Sequence, residues 1–160
     1  MNQQGRTIRA HWDLTYDHAI GPTASHFFDE IKENQKILGK HCSSCGRTLL
    51  PPRSFCDRCY VETKDWVEVK KEGVIEAFTI IYQQFKGLPE PPYALAYVLL
   101  EGADTAMAGM VKGVNLSDPK IATSKLFIGA RVKVVFSKER RGSVLDFWYE
   151  LVYESRKETR

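Results

Sequence analysis

The pattern of apolar and polar positions changes near Trp66. Before it, Phe27, Phe28 and Ile31 recur at helical spacing between charged residues, which predicts an amphipathic helix over residues 23–33. A helix of this length is marginal on its own, so we expect its phenylalanine face to pack against the rest of the protein. Short strands are predicted at 37–40 and 47–50, on either side of the first cysteine pair.

After Trp66 the chain consists of short apolar runs separated by turn residues, which is typical of an all-β domain. Val132, Val134 and Phe136 alternate with neighbours on the opposite face, as in a strand with one buried side. The predicted strands cover residues 74–82, 93–101, 105–111, 131–137 and 144–153. Residues 115–128 form a longer connection with room for a helical turn. Five strands with this connection outline an OB-fold barrel.

These patterns predict a mainly β protein in four parts. An N-terminal arm and the helical segment span residues 1–36, and a four-cysteine zinc ribbon spans residues 37–65. The five-stranded OB-fold barrel covers residues 66–153, and a charged tail covers residues 154–160.

All four cysteines lie between His41 and Tyr60, as two C-x-x-C pairs. Four thiolates complete the tetrahedral coordination of Zn²⁺ and leave no open position, so the expected metal is structural. The predicted ligands are Cys42, Cys45, Cys56 and Cys59.

Other interpretations of these cysteines stay open at this stage. Iron also suits a four-cysteine tetrahedron, and the spacing does not separate the two metals. Two disulfides are a further alternative, although the N-terminus lacks the apolar core of a signal peptide and cytosolic thiols stay reduced. His41 adjoins Cys42 and is an alternative ligand.

Composition indicates a globular chain without the strong positive charge of a dedicated nucleic-acid-binding protein. Hydrophobic residues make up 43% and charged residues 27% of the 160 positions, and the net charge is only +3. No apolar run approaches the ~20 residues that span a membrane, so we expect a cytoplasmic protein with no membrane contact. Binding of single-stranded nucleic acid is the alternative function, because OB folds bind oligonucleotides, but Glu76, Glu101, Asp104 and Asp146 interrupt any basic stripe.

The sequence offers no catalytic apparatus. It contains no phosphate-binding G-x-x-x-x-G-K-[ST] loop, no H-E-x-x-H and no G-x-S-x-G. Thioester chemistry on a cysteine needs an activated thiolate, and every cysteine here is predicted to bind metal. We therefore assign no catalytic residue and expect the chain not to be an enzyme on its own.

The residues around the cysteine pairs resemble those of a known family, long labelled domain of unknown function thirty-five. Its members join a rubredoxin-like zinc ribbon to an acyl-CoA-associated OB-fold. The matching segments are the helix with Phe27-Phe28, Leu38-Gly39-Lys40-His41-Cys42, Cys45-Gly46, Pro51-Pro52-Arg53, Cys56, Cys59, Trp66, Gly73-Val74-Ile75-Glu76-Ala77-Phe78-Thr79 and Pro91-Pro92. One departure is Asp57, where the family often has proline.

The resemblance implies a non-catalytic accessory subunit. By this resemblance, the chain is expected to be a partner of a thiolase-superfamily enzyme. In such complexes the family member helps to bind a CoA thioester and to assemble the complex. The long N-terminal arm resembles versions that pair with degradative thiolases, such as benzoylsuccinyl-CoA thiolase. A hetero-oligomer with a thiolase-like acyl-CoA enzyme, a structural Zn²⁺ and a bound acyl-CoA are therefore expected.

Binding of CoA needs cations for its phosphates and apolar surface for its adenine and pantetheine groups. Arg53 follows the double proline, Phe85 and Lys86 lie in a proline-rich loop, and Lys112 ends a predicted strand. These four residues are the CoA-binding candidates. The alternative roles are solvated surface charge for the two lysines and a structural ion pair for Arg53.

Overall fold

A computed structural model describes residues 17–152, so the predicted arm at residues 1–16 and the predicted charged tail lie outside the described residues. The predicted helix is present as α1, Pro22–Asn34. Pro22 suits the first turn because the missing N–H has no helical partner there. Gln35 ends the helix in the left-handed conformation, and its N–H bonds to the carbonyl of Glu30. Neither helix within the described range is long and apolar enough to span a bilayer.

The ribbon contains a three-stranded antiparallel sheet in the order β2-β1-β3. Its strands are β1, Leu38–His41; β2, Thr48–Leu49; and β3, Asp65–Glu68. β3 pairs along the whole of β1, so the predicted boundary at residue 66 falls within a strand of the ribbon sheet.

Trp66 packs between the ribbon and the helix. Its ring lies 4.5 Å from that of His26 on α1, and the ammonium of the buried Lys40 lies 4.5 Å from the Trp66 ring centroid. Lys40 also donates to the carbonyl of Lys64 at 2.7 Å, which satisfies its buried charge. The helix therefore docks on the ribbon through the aromatic contact of His26 with Trp66, and the cation–π contact of Lys40 with Trp66 lies within the ribbon sheet.

The second half is a closed five-stranded barrel in the order β4-β5-β6-β8-β7, which confirms the predicted OB fold. Its strands are β4, Glu72–Ile81; β5, Tyr93–Leu100; β6, Met107–Lys112; β7, Arg131–Phe136; and β8, Phe147–Leu151. The short helix α2, Pro119–Lys125, lies between β6 and β7, where a helical turn was predicted. The parallel pairing of β6 with β8 closes the barrel.

One hydrophobic core joins the three parts. Phe27 and Ile31 of α1, and Leu50 of the ribbon, are buried in the same cluster as the barrel interior. Tyr149 on β8 is fully buried and donates to the carbonyl of Met107 at 3.1 Å. Burial of these large side chains together makes the helix and ribbon part of a single packed unit rather than separate modules.

Four hydrogen bonds fasten the edge of the ribbon sheet to the turn between β5 and β6. Thr48 donates its N–H to the Asp104 carboxylate at 2.8 Å, and Asp104 returns its own N–H to the Thr48 carbonyl at 2.8 Å. The hydroxyl of Thr105 accepts from the Leu50 N–H and donates to the Leu50 carbonyl, both at 2.7 Å. The barrel turn thus satisfies backbone groups that an edge strand would leave exposed.

Candidate metal centre and its surroundings

The two predicted cysteine pairs converge on one point. The four sulfurs of Cys42, Cys45, Cys56 and Cys59 all lie within 4.8 Å of one another, and those of Cys45 and Cys56 are 3.8 Å apart. A disulfide would need about 2.0 Å. Four sulfurs placed about 2.3 Å from a tetrahedral Zn²⁺ lie roughly 3.8 Å apart, which this spacing fits. The cluster thus has the donor set of a structural zinc site, and no cysteine is paired as a disulfide.

Each cysteine pair forms a tight turn, or knuckle, closed by the same two backbone hydrogen bonds. In the first knuckle Cys42 donates to Arg47 and Gly46 donates to Cys42, each at 2.8 Å. In the second, Cys56 donates to Val61 at 2.8 Å and Tyr60 donates to Cys56 at 2.9 Å. The equivalent residues Gly46 and Tyr60 both adopt the left-handed conformation, with φ of 76° and 56°.

The second knuckle also favours the thiolate form of its first cysteine. Burial raises the pKa of Cys56, but the N–H groups of Arg58 and Cys59 and the thiols of Cys42 and Cys45 outweigh it and lower the pKa to about 7. A thiolate is the form that binds a metal ion, so this part of the site is prepared for its ligand.

Asp57 links the two knuckles on the outside of the site. Its carboxylate accepts from Arg47, which follows the first knuckle, at 3.2 Å, and from Arg53, which precedes the second, at 3.0 Å. Desolvation raises the pKa of Asp57, but the attraction of both guanidinium groups outweighs it and holds the pKa below its usual value. The residue that departs from the family pattern thus forms an ion-pair bridge across the ribbon.

His41 lies on β1, paired with Thr48 and Asp65. Within residues 17–152, the ligand cluster consists of the four cysteines and does not include it.

The four CoA-binding candidates fall at two ends of the barrel. Phe85 and Lys86 lie in the loop after β4, and Lys112 ends β6; the pairings of Ile81 with Tyr93 and of Ala94 with Val111 put these three at one end. Arg53 belongs to the ribbon, which is fastened to the opposite end through the β5–β6 turn. β5 alone spans roughly 25 Å.

Lys112 and Arg53 already have partners. The ammonium of Lys112 lies 3.9 Å from the ring centroid of Trp148, and Arg53 pairs with Asp57. The structural ion pair weighed for Arg53 in the sequence is therefore present. CoA binding by these four residues stays a prediction.

The outer face of the barrel at β4, β5 and β6, here called the barrel face, is apolar rather than basic. A shallow groove of about 300 Å³ crosses it, and no lysine or arginine among residues 17–152 lines this groove. Its lining consists of Ala77, Phe78, Thr79, Leu95, Ala96, Tyr97 and Ala108. Of the two tyrosines on β5, Tyr93 is buried, while Tyr97 is exposed. This surface lacks the cationic groove that binding of single strands requires.

A second apolar groove, of about 250 Å³, lies where helix, ribbon and barrel meet. Its lining consists of Ala24, Phe27, Phe28, Pro51, Pro52, Met107, Ala108, Val144 and Phe147. Ala108 borders both grooves, so the apolar surface continues from the barrel face to α1. Contiguous apolar surface of this kind is typical of a protein interaction site.

A four-cysteine ribbon fastened to a closed barrel defines the class of this molecule as a zinc-ribbon and OB-fold protein. A family model of the ChsH2 rubredoxin-like zinc ribbon domain matches residues 29–65, and one of the ChsH2 C-terminal OB-fold domain matches residues 66–137. The chain belongs to this ChsH2-type family, also called DUF35. The resemblance noted in the sequence is confirmed.

Known relatives match this chain over most of its described length. A Methanocaldococcus jannaschii protein described as a DUF35 domain-containing scaffold protein is 24% identical over 110 residues, covering 68% of this chain and 72% of its own. A Sulfolobus solfataricus DUF35 structure has a TM-score of 0.61 at 26% identity, over 82% of this chain and 87% of that one. A structure described as an Ltp2-ChsH2(DUF35) aldolase has a TM-score of 0.61 at 19% identity, over 84% and 97%. This last likeness concerns the fold.

Sequence reasoning missed Tyr60. It takes the position that glycine holds in the first knuckle, and its backbone adopts the same left-handed conformation as that glycine. Superposing Cys42-x-x-Cys45-Gly46 on Cys56-x-x-Cys59-Tyr60 would have revealed the mismatch.

Proposed function

We propose that this protein is a non-catalytic accessory subunit of a thiolase-superfamily acyl-CoA enzyme, where it supports complex assembly. The observation that carries the proposal is the convergence of all four cysteines on one metal site. Thiolases attack thioesters with a cysteine thiolate, and this chain has none to spare. The nucleophile must therefore come from another chain.

Two further observations support a role in assembly. The M. jannaschii relative is described as a scaffold protein, and a protein of the same fold is described together with Ltp2 as an aldolase. In this chain, the two grooves that share Ala108 offer an uncharged apolar surface for a protein partner.

We also propose that an acyl-CoA contacts this subunit at the barrel end that carries Phe85, Lys86 and Lys112. The exposed ring of Phe85 offers a stacking surface for adenine, and two ammonium groups offer charge for phosphates. A degradative thiolase, such as one acting on benzoylsuccinyl-CoA, is the form of partner that we favour.

The experiment is affinity isolation of the tagged protein from its native cells, with mass spectrometry of the bound chains and metal analysis of the same sample. We expect a thiolase-superfamily subunit in fixed stoichiometry and one zinc per chain. Mixing the two purified proteins should then alter the turnover of the enzyme. If they neither associate nor change turnover, the proposal is wrong.

A role in nucleic-acid binding makes a different prediction from a role in enzyme assembly. Single-stranded oligonucleotides should then bind this protein with an affinity that falls steeply as salt rises. We expect no such binding, because the barrel face is apolar.

A further inference from the structure

Tyr60 holds a backbone conformation that its side chain disfavours. Its φ of 56° lies in the left-handed region, where Cβ crowds the following carbonyl and glycine is the usual residue. The side chain is 84% exposed, so packing in the folded chain does not compensate for the strain. Within residues 17–152 the Tyr60 hydroxyl makes no hydrogen bond. A strained residue that the fold itself does not require is an indication of function.

Tyr60 belongs to a cluster of exposed side chains on the second knuckle, which we call the knuckle tip: Phe55, Arg58, Tyr60 and Val61. Phe55 and Val61 are 53% and 38% exposed. The pairing of Phe55 with Glu62 and the bond from the Cys56 N–H to the Val61 carbonyl hold both on one small hairpin. The metal site beneath fixes this hairpin, so the tip is presented on a rigid support.

Arg58 adds a charge to the tip. Its guanidinium takes part in no ion pair or hydrogen bond in the part of the chain that the structure describes, whereas Arg47 and Arg53 are both engaged by Asp57. Tyrosine and arginine are the residue types most often found at the energetic centre of protein interfaces.

We propose that the knuckle tip is the anchor through which this subunit docks on its catalytic partner. The complementary site is an apolar pocket that receives Tyr60, bordered by a carboxylate that pairs with Arg58. This inference rests on the proposed function, since the occupant is the thiolase-superfamily subunit named there. A nucleic-acid partner fits less well, because three of the four tip residues are uncharged, whereas binding along a phosphate backbone takes a row of cations.

The test is the affinity of the Tyr60→Gly variant for the purified catalytic subunit, measured by calorimetry on the zinc-loaded protein. We expect the Kd to rise about tenfold or more while zinc stoichiometry and chelator resistance stay at wild-type levels. Tyr60→Asn, which tolerates the left-handed backbone, should behave in the same way. Arg58→Gln should weaken binding less and reduce its dependence on salt.

The matched control is Phe127→Ala, which removes another exposed aromatic (52%) from the connection between α2 and β7. It should leave the Kd unchanged. Wild-type affinity in Tyr60→Gly would show that the knuckle tip is not the anchor. Loss of zinc in that variant would show the same, because Tyr60 would then be required for the metal site. Either result leaves the proposed function standing. If the wild-type protein binds no thiolase-superfamily subunit, both proposals fail. Weakened binding of an oligonucleotide by Tyr60→Gly would indicate a nucleic-acid surface instead.

Discussion

The two knuckles of the ribbon are alike in their backbones and in their pattern of burial, but the segments beside them differ. Each closes with the same pair of hydrogen bonds and puts a residue in the left-handed conformation after its second cysteine. The first knuckle leads into β2, which the barrel turn covers through Asp104 and Thr105. The second carries exposed Phe55 and Tyr60.

This difference separates two tasks that a symmetrical metal site could share. The segment after the first knuckle joins the ribbon to the barrel, and the exposed side chains of the second knuckle and its flanks are left to make external contacts. Glycine suffices where only the turn matters, whereas tyrosine at the same φ adds an aromatic surface at a cost in backbone strain. The asymmetry predicts that equivalent substitutions in the two knuckles will have different consequences.

The largest effect should come from removing one ligand. Cys42→Ser and Cys56→Ser should both abolish zinc binding and unfold the ribbon, because structural zinc supplies about 10–16 kcal/mol in isolated fingers. Metal analysis and circular dichroism would measure this. The two substitutions should have equal effects, since the metal needs cysteines from both knuckles. A Cys56→Ser protein that keeps its zinc and assembles with a partner but loses turnover would contradict a structural role for the metal.

The next effect should be specific to the segment that follows the first knuckle. Thr105→Val removes the hydroxyl that serves both backbone groups of Leu50, and leaving them unsatisfied should cost about 2–4 kcal/mol. Denaturant unfolding of the zinc-loaded protein would measure the loss. Thr123→Val, on the exposed side of α2, is the control and should change stability by less than about 0.5 kcal/mol. Equal effects in the two variants would show that the barrel turn does not stabilise the ribbon.

Exchanging the left-handed residues should have a smaller effect on stability, and an unequal one in the two knuckles. Gly46→Tyr should destabilise the folded protein by about 1–2 kcal/mol, because it introduces the strain that Tyr60 already bears. Tyr60→Gly should change stability by less than about 1 kcal/mol, since relief of strain is offset by the greater freedom of glycine when unfolded. Calorimetric melting would compare them. A large loss in Tyr60→Gly would mean that the tyrosine packs within the fold.

The smallest effect should come from breaking the bridge between the knuckles. Asp57→Asn removes the charge that attracts Arg47 and Arg53, so the zinc should be released to a chelator somewhat faster at low salt. Because the bridge is exposed, about 1 M salt should screen it and remove the difference between variant and wild type. A difference that persists at high salt would indicate a role beyond electrostatics.

Patterns within short stretches of the sequence were enough to predict most of the architecture. The C-x-x-C spacing predicted the four cysteines that the fold brings together, the alternation around Val132 and Val134 predicted a barrel strand, and the Phe27 to Ile31 spacing predicted the helix. β3 was missed because it is short and half exposed, and its pairing with β1 is made across 24 or more residues. Such pairing depends on tertiary contacts that local pattern does not contain.

The contacts around the metal site were harder to predict from the sequence for the same reason. The bridge from Asp57 to Arg47 depends on the metal bringing two distant turns together, and the contact of Trp66 with His26 depends on how the helix docks. The separation of Arg53 from Phe85, Lys86 and Lys112 follows from strand register, which residue types alone do not fix.

The closed barrel has a consequence for how this protein can change its associations. Each of its five strands has a neighbour on both sides, so no strand of the barrel is unpaired along a whole edge. A strand from another polypeptide could pair only where the ladders are incomplete, as beyond Ile75 on β4 and before Val111 on β6, and attachment elsewhere on the barrel depends on side chains. Homologous subunits can therefore acquire new protein partners through a few substitutions on the surface, without a change in the fold.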